Sequence, residues 1–469
     1  MSHRPASRTH ALFAGLALLL GMLATVSGAA LADEPTLALS KDSGPPTTRI
    51  SVSGTGFGAT ETVDLAFGGV DVAAVDTDAN GAFTGARIRV PAGAKPGNHT
   101  FTARGRASDL VATARFLVQT DWPQYRGAPA HLGFNRYENV LKPANVDRLE
   151  LAWTFDTGDE ILASPTVVDG VVYAASRMGA LHALDAASGD ELWSRPGGNY
   201  GSPAAEGGVV YAAQGEVFAL DAATGDQLWS YGAPGDQFGG SPALLSGLLY
   251  VISTDTDAPG GRIVALDATT GALLWGRSLR GETWGAPAVA DGAVVVPTGS
   301  GRVYSLDAST GEPQWVFRAP GYMVLSPAVV GDRVFIGGSE ERLYALNAST
   351  GDLVWRSPRF GARTAPAVAD GIVVEGTGYG NVEALRASNG TLVWRFHAGG
   401  GDVESDATVA NGVVYVGSNG DRVYALHAAT GRELWSFRTG KGIQSSPTVV
   451  NGMVYVGSKD GKVYAFGLG

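Results

Sequence analysis

The sequence predicts an all-β protein, a β-propeller of eight blades preceded by a β-sandwich, and three observations carry that prediction. From Leu151 onward a unit of four short strand-like runs repeats eight times, at steps of 38, 39, 45, 40, 39, 41 and 40 residues. A period near 40 with four strands per unit is the mark of a propeller. A tryptophan recurs in phase with the units: Trp153, Trp193, Trp229, Trp275, Trp315, Trp355, Trp394 and Trp435. A bulky ring at that place is expected to dock between neighbouring blades. Glycine supplies 67 of the 469 residues, roughly twice its usual share of ~7%, which calls for many tight turns.

Residues 1–32 read as a secretory signal peptide. Arg4 and Arg8 form its positive end, Ala11 to Val26 its apolar run, and Ala30-Leu31-Ala32 a small-residue cleavage site. The competing reading is an uncleaved anchor, since Ala11 to Leu31 has spanning length; Thr25, Ser27 and Gly28 favour cleavage. Loss of two arginines takes the net charge from −11 to −13, and no second span-length apolar stretch follows. The mature chain is therefore expected to be secreted or extracytoplasmic, within a periplasm-like cell envelope, with no stable membrane span.

Residues 33–119 show short alternating runs between turns, among them Thr47 to Ser53, Val63 to Phe67 and His99 to Ala103. Their length and turn spacing fit one β-sandwich of the immunoglobulin kind. The Gly54-Thr55-Gly56-Phe57-Gly58 run and the Pro91 to Gly97 turn resemble bacterial Ig-like modules of the IPT/TIG type, which implies a spacer or adhesive unit. Asp76-x-Asp78-x-Asn80-Gly81 matches half of a calcium loop, but Arg87 stands where the closing carboxylate belongs. A hairpin turn explains the same residues.

Residues 120–150 form a linker or lead-in segment, and 151–469 the propeller. Each repeat unit opens near Ser-Pro and turns through Asp-Gly. A second hairpin then follows at Asp-Ala-x-Thr-Gly, three residues before the tryptophan. The last unit stops at Gly469 without its outer strand or tryptophan. The missing strand lies at the front, at 151–155, where Trp153 sits 40 residues before Trp193. The front strand is thus expected to complete the last blade and close the ring.

The Ala-x-Asp-x-x-Thr-Gly-x-x-x-Trp pattern resembles the tryptophan-docking motif of the pyrroloquinoline quinone (PQQ) repeat superfamily. Ala183 to Trp193, Ala219 to Trp229 and Ala265 to Trp275 carry it best. Asn347, Arg386 and His427 replace its Asp in the units of Trp355, Trp394 and Trp435, so the motif is partly eroded there. Asp121-Trp122-Pro123-Gln124-Tyr125-Arg126 looks like the family's lead-in. The resemblance covers 121–469 and implies two alternatives. One is a quinoprotein alcohol or sugar dehydrogenase, with PQQ and calcium in the funnel. The other is a non-catalytic exported scaffold that binds other exported or cell-envelope proteins. A chain without cysteine lacks the vicinal disulfide on which such dehydrogenases commonly stack PQQ, and lacks a haem attachment site. The near-minimal repeats leave little room for the insertions such enzymes carry, and no catalytic residue transfers by motif. The expected role is the scaffold, with no cofactor; non-catalytic binding of PQQ or a cation is a third reading.

Any ligand site should lie at the channel mouth. The residues opening the first strands are Ser164, Ser202, Ser241, Ala286, Ser326, Ala365, Asp406 and Ser446, with Asp406 the only charge. Two residues earlier the column is diverse, with Tyr200, Trp284, Arg363, Glu404 and Gln444. Tyr200 and Trp284 are candidates to stack on a planar ligand, and Arg363 and Glu404 to pair across adjacent blades. Asp402, Glu404 and Asp406 form a candidate cation site. An ordinary solvated mouth is the alternative to each. The acidic balance argues against nucleic acid as a partner, and the seven histidines lack metal-ligand spacing.

Overall fold

The computed structural model describes residues 34–197, 201–255, 260–323, 325–358 and 361–469. The leader lies outside the described residues, as does Tyr200. So do residues 256–259.

Among the described residues the chain is all-β, with two single-turn 3₁₀ segments at Tyr125–Gly127 and Val146–Arg148. Residues 36–118 form two sheets. One holds Thr36–Leu39, Arg49–Thr55 and Phe83–Arg89; the other holds Ser43–Gly44, Thr62–Phe67, Val70–Asp76, Gly97–Gly105 and Val111–Val118. The period-two pattern buries alternate residues, so Ile50 and Val52 of one sheet meet Val63, Leu65, Phe101 and Phe116 of the other in a single core. Thr47, expected at the start of a strand, instead sits in a turn at φ 71°. The calcium-like motif is a turn: Asp78 accepts from the N–H of Asn80 and Ala82 at 2.8 and 3.0 Å. Glu61 ties two loops together, accepting from Gly58, Ala107 and Ser108, and those donors hold its carboxyl down at about 2.

The repeat region builds eight antiparallel sheets of four strands among the described residues, one of them extended by a short fifth strand. The first strands of these sheets neighbour one another in chain order, and the eighth lies against the first. Closure uses the front strand as expected, two residues earlier: Leu149–Asp156 pairs antiparallel with Lys462–Leu468, Trp153 opposite Ala465.

Toward the outer strands, the tryptophan joins neighbouring sheets. Each indole Nε1–H donates to a turn carbonyl of the next sheet, at 2.7–3.1 Å. Trp153 reaches Ala186, Trp193 reaches Ala222, Trp229 reaches Ala268 and Trp275 reaches Ala308. Trp315, Trp355 and Trp394 reach Ala348, Ala387 and Ala428. Trp435 departs from the pattern, because the next strand is the front one, and it closes the circuit on Leu149.

The ring of each of the first seven lies over the glycine of the same turn. A Cβ on Gly351 would sit 2.6 Å from the Trp315 ring, and one on Gly390 or Gly431 would sit 2.5 Å from that of Trp355 or Trp394. All three glycines have φ between +70° and +76°. Glycine is therefore required twice at this position, once for the left-handed turn and once to admit the indole. The motif reads as one contact: tryptophan of one sheet, alanine carbonyl and glycine of the next. Its erosion is only apparent. The turns that receive Trp315, Trp355 and Trp394 are those in which Asn347, Arg386 and His427 replace Asp, yet the contact survives. A backbone carbonyl and a glycine make it, and neither depends on the Asp side chain.

Candidate functional site

The lead-in segment is no free linker. It runs across the inner ends of all eight sheets in order, bonding each in turn. Trp122 pairs with Val167. Pro123 O then accepts from Ala205, and Gln124 brackets Leu244 through both amide atoms. Pro129, Ala130, Leu132 and Gly133 accept from Val289, Val329, Val368 and Val409. Phe134–Asn135 adds a short parallel strand beside Thr408–Ala410, Asn135 donates to Val449 O, and Glu138 accepts from Gly452. The strap thereby lays a floor across the ends of the first strands. It also reaches the N-terminal module, where Asn139 donates to Ala94 O at 2.8 Å.

At the centre of the strap, Tyr125 and Arg126 reach Asp406. The Tyr125 hydroxyl donates to Oδ2 at 2.5 Å, Ser446 Oγ donates to the same oxygen at 2.9 Å, and the Ala365 N–H donates to Oδ1 at 2.7 Å. The Arg126 guanidinium lies 3.5 Å from the carboxylate, wholly buried, and donates to the carbonyls of His131, Ala365 and Pro366. Arg126 adopts φ 59°, a left-handed turn that aims its side chain inward. Burial, first, and the Asp406 charge push the Tyr125 hydroxyl far above its ordinary value, so it stays a donor. The single charge in the first-strand column is thus an anchor for the strap.

The other column residues form a belt around the axis. The N–H of Ser164, Ser202, Ala286 and Ser446 donates to the hydroxyl of the next sheet's residue, Ser202, Ser241, Ser326 and Ser164, at 2.8–2.9 Å. The serines are there because each hydroxyl accepts a backbone N–H that the crowded axis leaves without a ladder partner.

Above the belt lies a pocket of about 330 Å³. Its walls include Trp284, Leu325, Arg363, Glu404, Gln444 and Asp406, so five of the six candidate mouth residues converge. The expected pairing of Arg363 with Glu404 is not made. Glu404 instead accepts from Asn419 and Gln444 at 2.8 and 2.9 Å, with Lys459 Nζ at 3.7 Å. Lys459, on the hairpin of the eighth sheet, competes successfully because it reaches the same oxygen as the two amides. The three carboxylates 402, 404 and 406 do not share a centre: Asp406 faces the strap and Glu404 the amide cluster, while Asp402 is no wall of the pocket. No group of three or more His, Cys, Asp or Glu placed to hold a metal ion occurs among the described residues. Trp284 is 62% exposed, its Nε1–H held by Glu282. Tyr322 and Tyr379, exposed to 65% and 61%, were not signalled by the repeat columns because they lie on intervening turns.

Comparison with known proteins places the repeats. A family profile described as "Outer membrane protein assembly factor BamB" matches residues 144–258, 213–362, 321–400 and 378–467. The chain is 32% identical over 76 residues to a quinohemoprotein alcohol dehydrogenase of Comamonas testosteroni, 16% of this chain and 11% of that one. It is 42% identical over 53 residues to the assembly factor BamB of Moranella endobia, 11% of this chain and 14% of that one. The matched segments thus span a small fraction of either relative. In structure, the Comamonas testosteroni enzyme has a TM-score of 0.65 at 17% identity, covering 74% of this chain and 80% of that one. BamB from Moraxella catarrhalis has a TM-score of 0.57 at 20% identity, covering 68% and 99%. Such low identities speak to the PQQ-like propeller fold alone. Because overlapping matches run from residue 144 to residue 467, the chain belongs to the PQQ-repeat family described as outer membrane protein assembly factor BamB.

Proposed function

We propose that the protein is an exported, non-catalytic scaffold: an eight-bladed PQQ-like ring carrying an Ig-like module, binding other exported or cell-envelope proteins through the loops around the pocket. The observation that carries this reading is the engagement of Asp406. Its oxygens accept from Tyr125, Ser446 and Ala365 beside a buried arginine. A carboxylate so committed is poorly placed to act as a base or to ligate an ion. The exposed rings of Trp284, Tyr322 and Tyr379 are the kind of side chain that anchors protein contacts.

The similarity to a quinohemoprotein alcohol dehydrogenase favours a second reading, a PQQ-dependent alcohol or sugar dehydrogenase or a funnel that binds PQQ with calcium. The residues present do not fit that group. Among the pocket's acids, Glu404 is bonded to Asn419 and Gln444, and Asp406 to the strap.

Site-specific photocrosslinking tests the scaffold. A crosslinker at Trp284 or Tyr379 should trap discrete exported partners, and one at Asp332, on the opposite hairpins, should not. Equal trapping at both places, or at neither, overturns the reading.

A further inference from the structure

We infer that the pocket above the serine belt is a binding site for a monoanionic carboxylate with a small apolar body. The inference goes beyond the scaffold reading, which concerns protein contacts on the loops around the pocket and not a small guest inside it.

It starts from hydroxyl protons. Ser164, Ser202 and Ser241 are 5%, 3% and 7% exposed, and all three line the pocket. Each Oγ already accepts a backbone N–H, from Ser446, Ser164 and Ser202 respectively. Their own protons reach no protein acceptor among the described residues. A hydroxyl whose lone pair is taken by an N–H presents its proton to whatever occupies the space beside it. Three such donors on consecutive sheets make a floor that favours an acceptor-rich guest.

Charge selects its sign. The two acids of the pocket wall are neutralised one for one, Asp406 by Arg126 at 3.5 Å and Glu404 by Lys459 at 3.7 Å. Arg363, exposed on the same wall, has no carboxylate within ion-pair distance among the described residues. The pocket therefore carries one uncompensated positive charge, on a protein whose net charge is −11. A guanidinium matches the planar fork of a carboxylate. A single charge favours a monoanion over phosphate.

Shape selects the body. Leu162, Leu325 and the exposed face of Trp284 form the apolar part of the wall, and the volume is about 330 Å³. That space suits a short acyl or aryl chain, or the C-terminal residue of a peptide, since both present the same carboxylate.

The test is a fluorescence and calorimetric titration of the full mature chain with butyrate, phosphate, a tripeptide with a free C-terminus and its C-terminal amide. Saturable butyrate binding is expected. It should weaken at least tenfold in Arg363→Gln, whose melting temperature without ligand should match the wild type. Ser202→Ala should weaken it severalfold, and its ligand-free melting temperature separates loss of the donor from loss of fold. Competition by the free tripeptide but not the amide assigns the carboxylate to a peptide end; competition by neither assigns it to a free acid. Absence of saturable butyrate binding, phosphate binding as tight as butyrate, or unchanged affinity in Arg363→Gln overturns the proposal.

Discussion

Asp406, bonded to Tyr125, Ser446 and Ala365, shows how a site can be misread from spacing. A lone acid in a column of serines and alanines looks like a ligand. In the fold it is the post to which the strap is tied, because Tyr125 and Arg126 arrive from a segment nearly three hundred residues earlier. No spacing rule carries that information. Asp406→Ala leaves a buried guanidinium without its counter-charge and three donors without an acceptor, so a loss of about 3–5 kcal/mol is expected in urea unfolding. Tyr125→Phe removes one hydrogen bond to a charged group and should cost about 1.5–3 kcal/mol. A smaller effect of Asp406→Ala than of Tyr125→Phe would contradict the anchoring role. The tryptophan positions, by contrast, were fully legible. Their repeat with the Thr-Gly turn encodes a contact between adjacent sheets, and contacts made once per repeat leave a periodic trace. The Asp of that motif was the less informative part, since Trp315, Trp355 and Trp394 dock on turns that lack it.

At the scale of single elements, two buried groups set opposing pH dependences. Glu375, on Ile372–Gly376, faces Glu383 across the ladder, where Val296, Val416 and Val456 stand in other sheets. Burial, and secondarily the Glu383 charge, push its carboxyl up from 4.5 to about 8. Between those values the unfolded chain has released a proton that the folded chain retains. Stability therefore falls with rising pH, by up to about 1.4 kcal/mol per unit, and is level above pH 8. His131, on the strap, is held down from 6.5 to about 3 by burial and by Arg126. Between those values the unfolded chain binds a proton that the folded chain refuses, so stability rises with pH. Together the two groups give a rise from about pH 3 to 4.5, a plateau to 6.5 and a decline to 8. Glu375→Val should raise the melting temperature at pH 8.5 and change it much less at pH 4.5. Equal shifts at both would show that Glu375 is not held neutral. Its sequence, Val-Val-Glu-Gly, signals only a break in an apolar column.

At the scale of the whole molecule, closure and the floor have different origins. The closing strand was legible because Trp153 stands 40 residues before Trp193, in phase with the repeats. The strap was not, since it meets six of the eight sheets through backbone atoms, which leave no side-chain pattern, and the other two through Gln124 and Asn135, single residues outside any repeat. The closing strand joins the front of the repeat region to its end, and the strap bonds all eight sheets. Removing Lys462–Leu468 deletes the strand that Leu149–Asp156 pairs with. That truncation should abolish the cooperative transition of the repeat region while the N-terminal module, with its own core, still unfolds as a unit. A retained single sharp transition would mean that the strap alone suffices to hold the ring.

The channel serves either chemistry or attachment. Titration of the purified protein with PQQ, with and without calcium, following tryptophan fluorescence and quinone absorbance, decides between them. A channel floored by Tyr125, Arg126 and Asp406 predicts no saturable, calcium-dependent change in folded protein. Saturable binding that requires calcium, followed by turnover of an alcohol with an artificial electron acceptor, would contradict the scaffold and restore the dehydrogenase.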